Sequence, residues 1–183
     1  MAAANWFRYA YLAHFSRPKA CRQLFRSIKR ENVSRIVEIG ITDLARSIAM
    51  IQVAQRFAGD KKVFYTGLDM FEARSAGRQP FTLKDTYCTL RATDATVRLV
   101  PGVPRMSLAS AANAHQNTDL VIIGPDVSEN DLFGAWLYVP RMLHPRSIIL
   151  SEKHTADGQV TFTPITRSQI AEWAARDSMR RAA

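Results

Sequence analysis

Cysteine is nearly absent: Cys21 and Cys88 stand alone and far apart, with no Cys/His cluster around either. That scarcity argues against a disulfide framework and against a structural zinc site. No apolar run approaches the roughly 20 residues a membrane span needs. The N-terminus holds Trp6, Phe7 and Leu12, but Arg8 and His14 interrupt them. It lacks the continuous apolar stretch and cleavage site of a secretory signal, so a cytoplasmic location is the expectation. Internal repeats, low-complexity segments, a P-loop, zinc spacing and an ordered Ser-His-Asp set are missing too, which excludes the commonest motif-bearing enzymes.

Acid is also in short supply, 16 Asp/Glu against 25 Lys/Arg for a net charge of +9. The imbalance is local. Residues 1–31 carry seven cations (Arg8, Arg17, Lys19, Arg22, Arg26, Lys29, Arg30) against Glu31 alone, giving +6. Residues 32–165 carry 14 basic and 13 acidic side chains, so the body is close to neutral. A basic N-terminal arm of this kind suits nucleic acid or an anionic surface, although a solvated helix face explains a charge run more simply. The length, 183 residues, fits a single domain: arm 1–31, core 33–165 and a C-terminal helix at 166–183.

Ser16-Arg17-Pro18 predicts a helix start with serine as cap, and Leu24, Phe25 and Ile28 form the apolar stripe of a basic amphipathic helix over 18–30. Residues 35–39 read as a buried central strand. Thr42 or Asp43 caps a helix carrying Leu44, Ile48 and Ile51, which ends near Gly59-Asp60. A second strand at 63–68 leads to Asp69 and a polar loop from Glu72 to Pro80. A helix at 82–92, a strand at 97–100 and a short helix at 105–115 follow. Asp119 to Ile123 is an uninterrupted apolar strand broken by Gly124-Pro125-Asp126. The spacing of Leu132, Trp136, Val139 and Leu143 predicts a helix over 129–143, bent near Pro140. A fifth strand at 147–150, a turn at 155–158, an antiparallel strand at 159–163 and a helix over 167–180 complete the chain. Strand alternating with helix throughout means a mostly parallel sheet with helices on both faces. Ligands in such sheets bind beyond the carboxyl ends of the strands.

The strand tips carry the informative residues: Val37-Glu38-Ile39-Gly40, Gly67-Leu68-Asp69-Met70-Phe71, Gly102, and Asp119-Leu-Val-Ile-Ile-Gly-Pro-Asp126. In this order and spacing, across roughly 33–152, the chain resembles the class I S-adenosylmethionine-dependent methyltransferases, above all their small O-methyltransferase-like branch. The resemblance implies a Rossmann-like three-layer sandwich of about six strands, ordered 3-2-1-4-5 plus a short antiparallel strand. It implies S-adenosylmethionine as cofactor and a small-molecule methyl acceptor. Carried over, Glu38 orients the methionine end, and Gly40 lets the backbone approach, with Thr42 on the same loop. Asp69 accepts from the ribose hydroxyls. Met70 and Phe71 flank the adenine, with Gly102 and Val103 at its edge. Asp126 faces the acceptor.

Two departures stand out. The family's further loop glycines are Thr42 and Leu44 here, and Arg46 is the cation nearest in sequence that could pair with a cofactor carboxylate. The tip of the fourth strand is Gly124-Pro125, so no divalent-metal site is expected. For proton removal from an acceptor, Asp126, Glu152, Lys153 and His154 are the candidates, His154 being best suited by residue type because its ordinary pKa is near neutrality. An interaction module that keeps the sheet without catalysis, and a nucleic-acid or anionic-surface binder acting through residues 1–31, remain open beside the enzyme. A nicotinamide dehydrogenase fits less well, because Gly40-Ile-Thr-Asp-Leu-Ala45 lacks the dinucleotide glycine spacing.

Overall fold

The computed structural model describes residues 5–74, 81–112, 116–128, 130–155 and 157–182. In chain order the elements are α1 (Trp6–His14), α2 (Lys19–Arg30), β1 (Arg35–Ile39), α3 (Leu44–Phe57), β2 (Phe64–Asp69), α4 (Leu83–Arg91), β3 (Thr96–Pro101), α5 (Pro104–Ala111), β4 (Thr118–Ile123), α6 (Val139–Met142), β5 (Leu143–His154), β6 (Val160–Pro164) and α7 (Arg167–Ala182). The six strands form one sheet in the order β3-β2-β1-β4-β5-β6. The first five run parallel and β6 is antiparallel to β5. This is the expected Rossmann-like architecture.

Two apolar layers sandwich the sheet. Alternation along β1 sends Ile36 to one face, where α2 and α3 contribute Leu24, Phe25, Ile28, Met50 and Ile51. It sends Val37 and Ile39 to the other, where Leu108 of α5, Met142 of α6 and Ile170 of α7 pack. Each such side chain, fully buried, contributes roughly 1.5–3 kcal/mol. At the sheet's lower rim Asp119 of β4 ties the starts of β1 and β5 together. Its Oδ2 accepts from the Ser34 and Arg35 amides at 2.7 and 2.8 Å, and its Oδ1 lies 2.9 Å from His144 Nε2.

Local signals set most helix starts. The Asp43 side chain accepts from the Ala45 amide at 2.9 Å and starts α3, and Thr82 accepts from the Asp85 amide at 3.0 Å and starts α4. Ser16 does not cap α2: its hydroxyl donates to the Leu12 carbonyl at 2.6 Å, and the N-cap position falls to Pro18, without a side-chain bond. The reason is α1, which the sequence pattern did not announce and whose last turn takes the serine. The helix expected over 129–143 is also absent. Gly134, at φ +80°, breaks it, leaving a 3₁₀ turn at Trp136–Tyr138 and the short α6. β5 is correspondingly longer than the expected four residues, taking twelve. Parts of the expected 72–80 loop, 105–115 helix, 129–143 helix and 155–158 turn lie outside the described residues.

Candidate functional site

Strand order reverses between β1 and β4, and their carboxyl tips frame the site. Two glycines allow the tips to approach. The Gly124 amide donates to Ile39 O at 2.7 Å, and a Cβ on Gly124 would stand 2.4 Å from the Gly40 carbonyl oxygen. Gly40 itself sits at φ +77°, and a Cβ there would stand 2.6 Å from Val127 Cγ2. Beside this contact opens a cleft of about 260 Å³ lined by Gly40, Thr42, Asp69, Met70, Arg74, Val103 and Asp126, among others.

Asp69 ends β2 and is buried. Its Oδ1 accepts from the Phe71 amide at 2.7 Å and from Arg74 Nε at 2.7 Å. Its Oδ2 accepts from the Ile41 amide at 2.8 Å and from Arg74 Nη2, which also donates to Ile41 O at 2.6 Å. The carboxylate therefore ties the β1 tip to the turn after β2, and a bidentate guanidinium covers the oxygens expected to meet a ribose diol. Sequence reasoning missed Arg74. Its signal is position, a cation five residues after the acid on a turn that folds back.

Of the residues expected around the nucleoside, Gly40, Thr42, Asp69, Met70 and Val103 line the cleft together. Phe71 and Gly102 do not line it. Phe71 turns into the interior at φ +48° and is fully buried. Gly102 donates its amide to Asp69 O at 2.9 Å, a scaffold contact.

Glu38 is not on the cleft either. It points to the α3 face of the sheet, where it accepts from the Tyr65 hydroxyl at 2.6 Å, the Ser47 hydroxyl at 2.7 Å and Arg46 Nη2 at 3.1 Å. A direct role at the methionine end does not fit a carboxylate enclosed in this way. Arg46 continues the chain of contacts through Nη1 to Glu152 Oε1 at 2.8 Å, and His154 Nε2 lies 3.2 Å from the same oxygen. Arg46 thus pairs with two protein carboxylates. Burial works against its charge, but Glu38 and Glu152 outweigh it and raise the pKa. Burial, reinforced by adjacent Glu38, likewise raises the Tyr65 phenol, keeping it a neutral donor. Glu38, Arg46 and Glu152 come from β1, α3 and β5, a grouping that no sequence spacing reveals.

The four proton-transfer candidates part company: Glu152 is buried against Arg46 and, like Lys153, does not line the cleft. Asp126 borders the cleft. His154, 46% exposed on the β5 extension, faces Glu152 and does not line the cleft. A neighbouring hollow of about 290 Å³ lies across Val127, between the β4 and β5 tips and α7, with Trp136, Glu152, Lys153 and Trp173 in its wall. The two indoles pack with ring centroids 4.5 Å apart and planes tilted by 49°. Among the described residues, no three or more His, Cys, Asp or Glu side chains gather where a metal ion could be held.

No protein-family model matches the sequence, and no curated protein matches it. Solved structures do. The O-methyltransferase from Bacillus cereus, in complex with SAH, superimposes with a TM-score of 0.53 at 15% identity, over 94% of this chain and 73% of its own. The O-methyltransferase TomG from Streptomyces achromogenes, involved in tomaymycin synthesis and in complex with SAM, gives 0.52 at 14%, over 100% of this chain and 80% of its own. Likeness at such identities is likeness of fold: the chain has the Rossmann-like α/β fold of S-adenosylmethionine-dependent O-methyltransferases.

Proposed function

We propose that the chain is an S-adenosylmethionine-dependent methyltransferase acting on a small-molecule acceptor. The observation that carries the reading is the cleft beside Asp69, at the strand-order reversal of a methyltransferase fold. In this reading the backbone at Gly40–Thr42 meets the cofactor, Asp69 takes the ribose hydroxyls, and Met70 and Val103 border the base. When bound, the cofactor supplies an electrophilic methyl group. The protein's part is to align an acceptor and remove its proton, and Asp126 on the cleft rim is assigned that proton. His154 is not assigned it, because its ring nitrogen is turned to Glu152.

The lining fits the cofactor on one condition: the Arg74 guanidinium must leave the Asp69 oxygens, since it supplies the donors that ribose hydroxyls would supply. The same contact favours a second reading, in which Asp69 and Arg74 are a permanent brace and the fold serves as an interaction module. Calorimetry with S-adenosylhomocysteine separates the two. Hydrogen bonds to a charged acceptor are worth roughly 1.5–3 kcal/mol each. The enzyme reading therefore expects saturable binding, weakened on the order of tenfold to a hundredfold by Asp69→Asn and strengthened by Arg74→Ala. Absence of binding to both the wild type and Arg74→Ala would leave only the second reading.

A further inference from the structure

The N-terminal helix pair turns an unusual surface to solvent. α1 packs through Tyr9 and Ala13, with Tyr9 edge-on to Phe57 of α3 at 4.7 Å between ring centroids. Its opposite side carries Phe7 and Tyr11, continued at the same four-residue spacing by Phe15 at the C-cap, one aromatic ridge along the helix axis. These rings are 83%, 59% and 67% exposed, and Trp6, at the start of the helix, is 59% exposed. Such rings on a helix anchored by its other face are not an unfinished core. An exposed cluster of large apolar side chains marks a surface that something covers.

Cations border the ridge. Arg8 lies on α1 itself and Arg17 follows Phe15 by two residues, both exposed. Arg22 reaches back from α2 to donate to Ser16 O at 2.9 Å, beside Phe15. No carboxylate occurs before Glu31. Exposed aromatic rings flanked by Arg, with no acid among them, are the composition of a helix that lies in the headgroup layer of an anionic bilayer. From Phe7 to Phe15 the ridge runs about 12 Å, far short of a bilayer's apolar thickness. It can lie in the surface and cannot cross it.

We propose that α1 and the basic side of α2 dock this protein onto anionic lipid surfaces, with Phe7, Tyr11 and Phe15 entering the headgroup layer. A second copy is a poorer occupant, because two such faces would bring like charge together. A nucleic-acid strand is also poorer, since base stacking uses a groove that follows the backbone, and this ridge is convex.

The test is sedimentation of the full chain with phosphatidylcholine vesicles, with and without phosphatidylglycerol, at low and high salt. The expected result is partitioning about tenfold or more stronger on the anionic vesicles at low salt. The Phe7→Ala/Tyr11→Ala/Phe15→Ala variant should lose most of that partitioning while its circular dichroism stays unchanged. Phe7→Ala alone, at the most exposed ring, should lose part of it. Arg8→Gln/Arg17→Gln should weaken binding on the anionic vesicles only. Equal partitioning on both vesicle types, or undiminished binding by the triple variant, would overturn the assignment. So would a single-stranded oligonucleotide that displaces the vesicles, which would give the surface to nucleic acid. A dimer that the triple variant converts to monomer in ultracentrifugation would give it to a second copy.

Discussion

Replacing Arg46 with methionine keeps most of the side-chain length and removes the charge that stands between Glu38 and Glu152. The three side chains are 5%, 0% and 1% exposed, so none can recruit bulk water without opening the structure. Removing one partner of a buried ion pair costs roughly 3–5 kcal/mol, because the charge left behind stays desolvated. The two carboxylates are not equally provided for. Glu38 retains the Tyr65 and Ser47 hydroxyls at 2.6 and 2.7 Å. Among the described residues, Glu152 retains His154 at 3.2 Å and a long contact from the Thr42 hydroxyl at 3.4 Å. Most of the loss should therefore come from Glu152, and Arg46→Met/Glu152→Gln should recover part of it. Urea unfolding of the three proteins at neutral pH measures this, with a drop in midpoint at nearly constant slope. For a chain of this size the single variant should also lower Tm by roughly 6–20 °C. A loss below about 1 kcal/mol, or a double variant no better than the single, would refute the view that the buried Arg46 charge holds these carboxylates.

Burial, against the opposing charge of Arg46, pushes the Cys21 thiol up to about 11, while Cys88 is exposed. In the native protein a disulfide reagent at pH 8 should therefore label one thiol quickly, with Cys21 about one part in a thousand thiolate and labelled only on unfolding. At the lower rim, burial would raise the Asp119 carboxyl, but the Ser34 and Arg35 amides, the Ser34 hydroxyl and His144 outweigh it and lower the pKa. Stability from that depressed pKa is fully present above the ordinary carboxylate range and is lost as pH falls through the folded value. Asp119→Ala should cost about 2–4 kcal/mol at neutral pH, and the gap to wild type in urea titrations should shrink on acidification. Gly124→Ala puts its Cβ 2.4 Å from the Gly40 carbonyl oxygen, a backbone atom with little freedom to move. A loss of at least about 2 kcal/mol is expected, and a neutral result in thermal denaturation would mean that the β1 and β4 tips are not held as closely as described.

The apolar pattern along the chain determined the strands and helices α2 to α5, because apolar runs and 3.6-residue spacing report burial residue by residue, and the alternation of strand with helix determined the parallel run. The cap of α3 was legible, as Thr42 or Asp43, for the same local reason. Residues 129–143 misled, since apolar spacing suggests a helix whether or not Gly134 allows one. Asp69 was recognisable as a strand-tip acid, but its partner was not. Only the return of the turn after β2 brings Arg74 onto both oxygens, and only the sheet's alternation turns Glu38 away from the cleft. Arg46 meets Glu38 and Glu152 because β1, α3 and β5 converge over a span of more than a hundred residues. Hydrophobic pattern is written in neighbouring positions and can be read along the chain, whereas the pairing of buried charges depends on which distant segments the finished fold brings within hydrogen-bond reach.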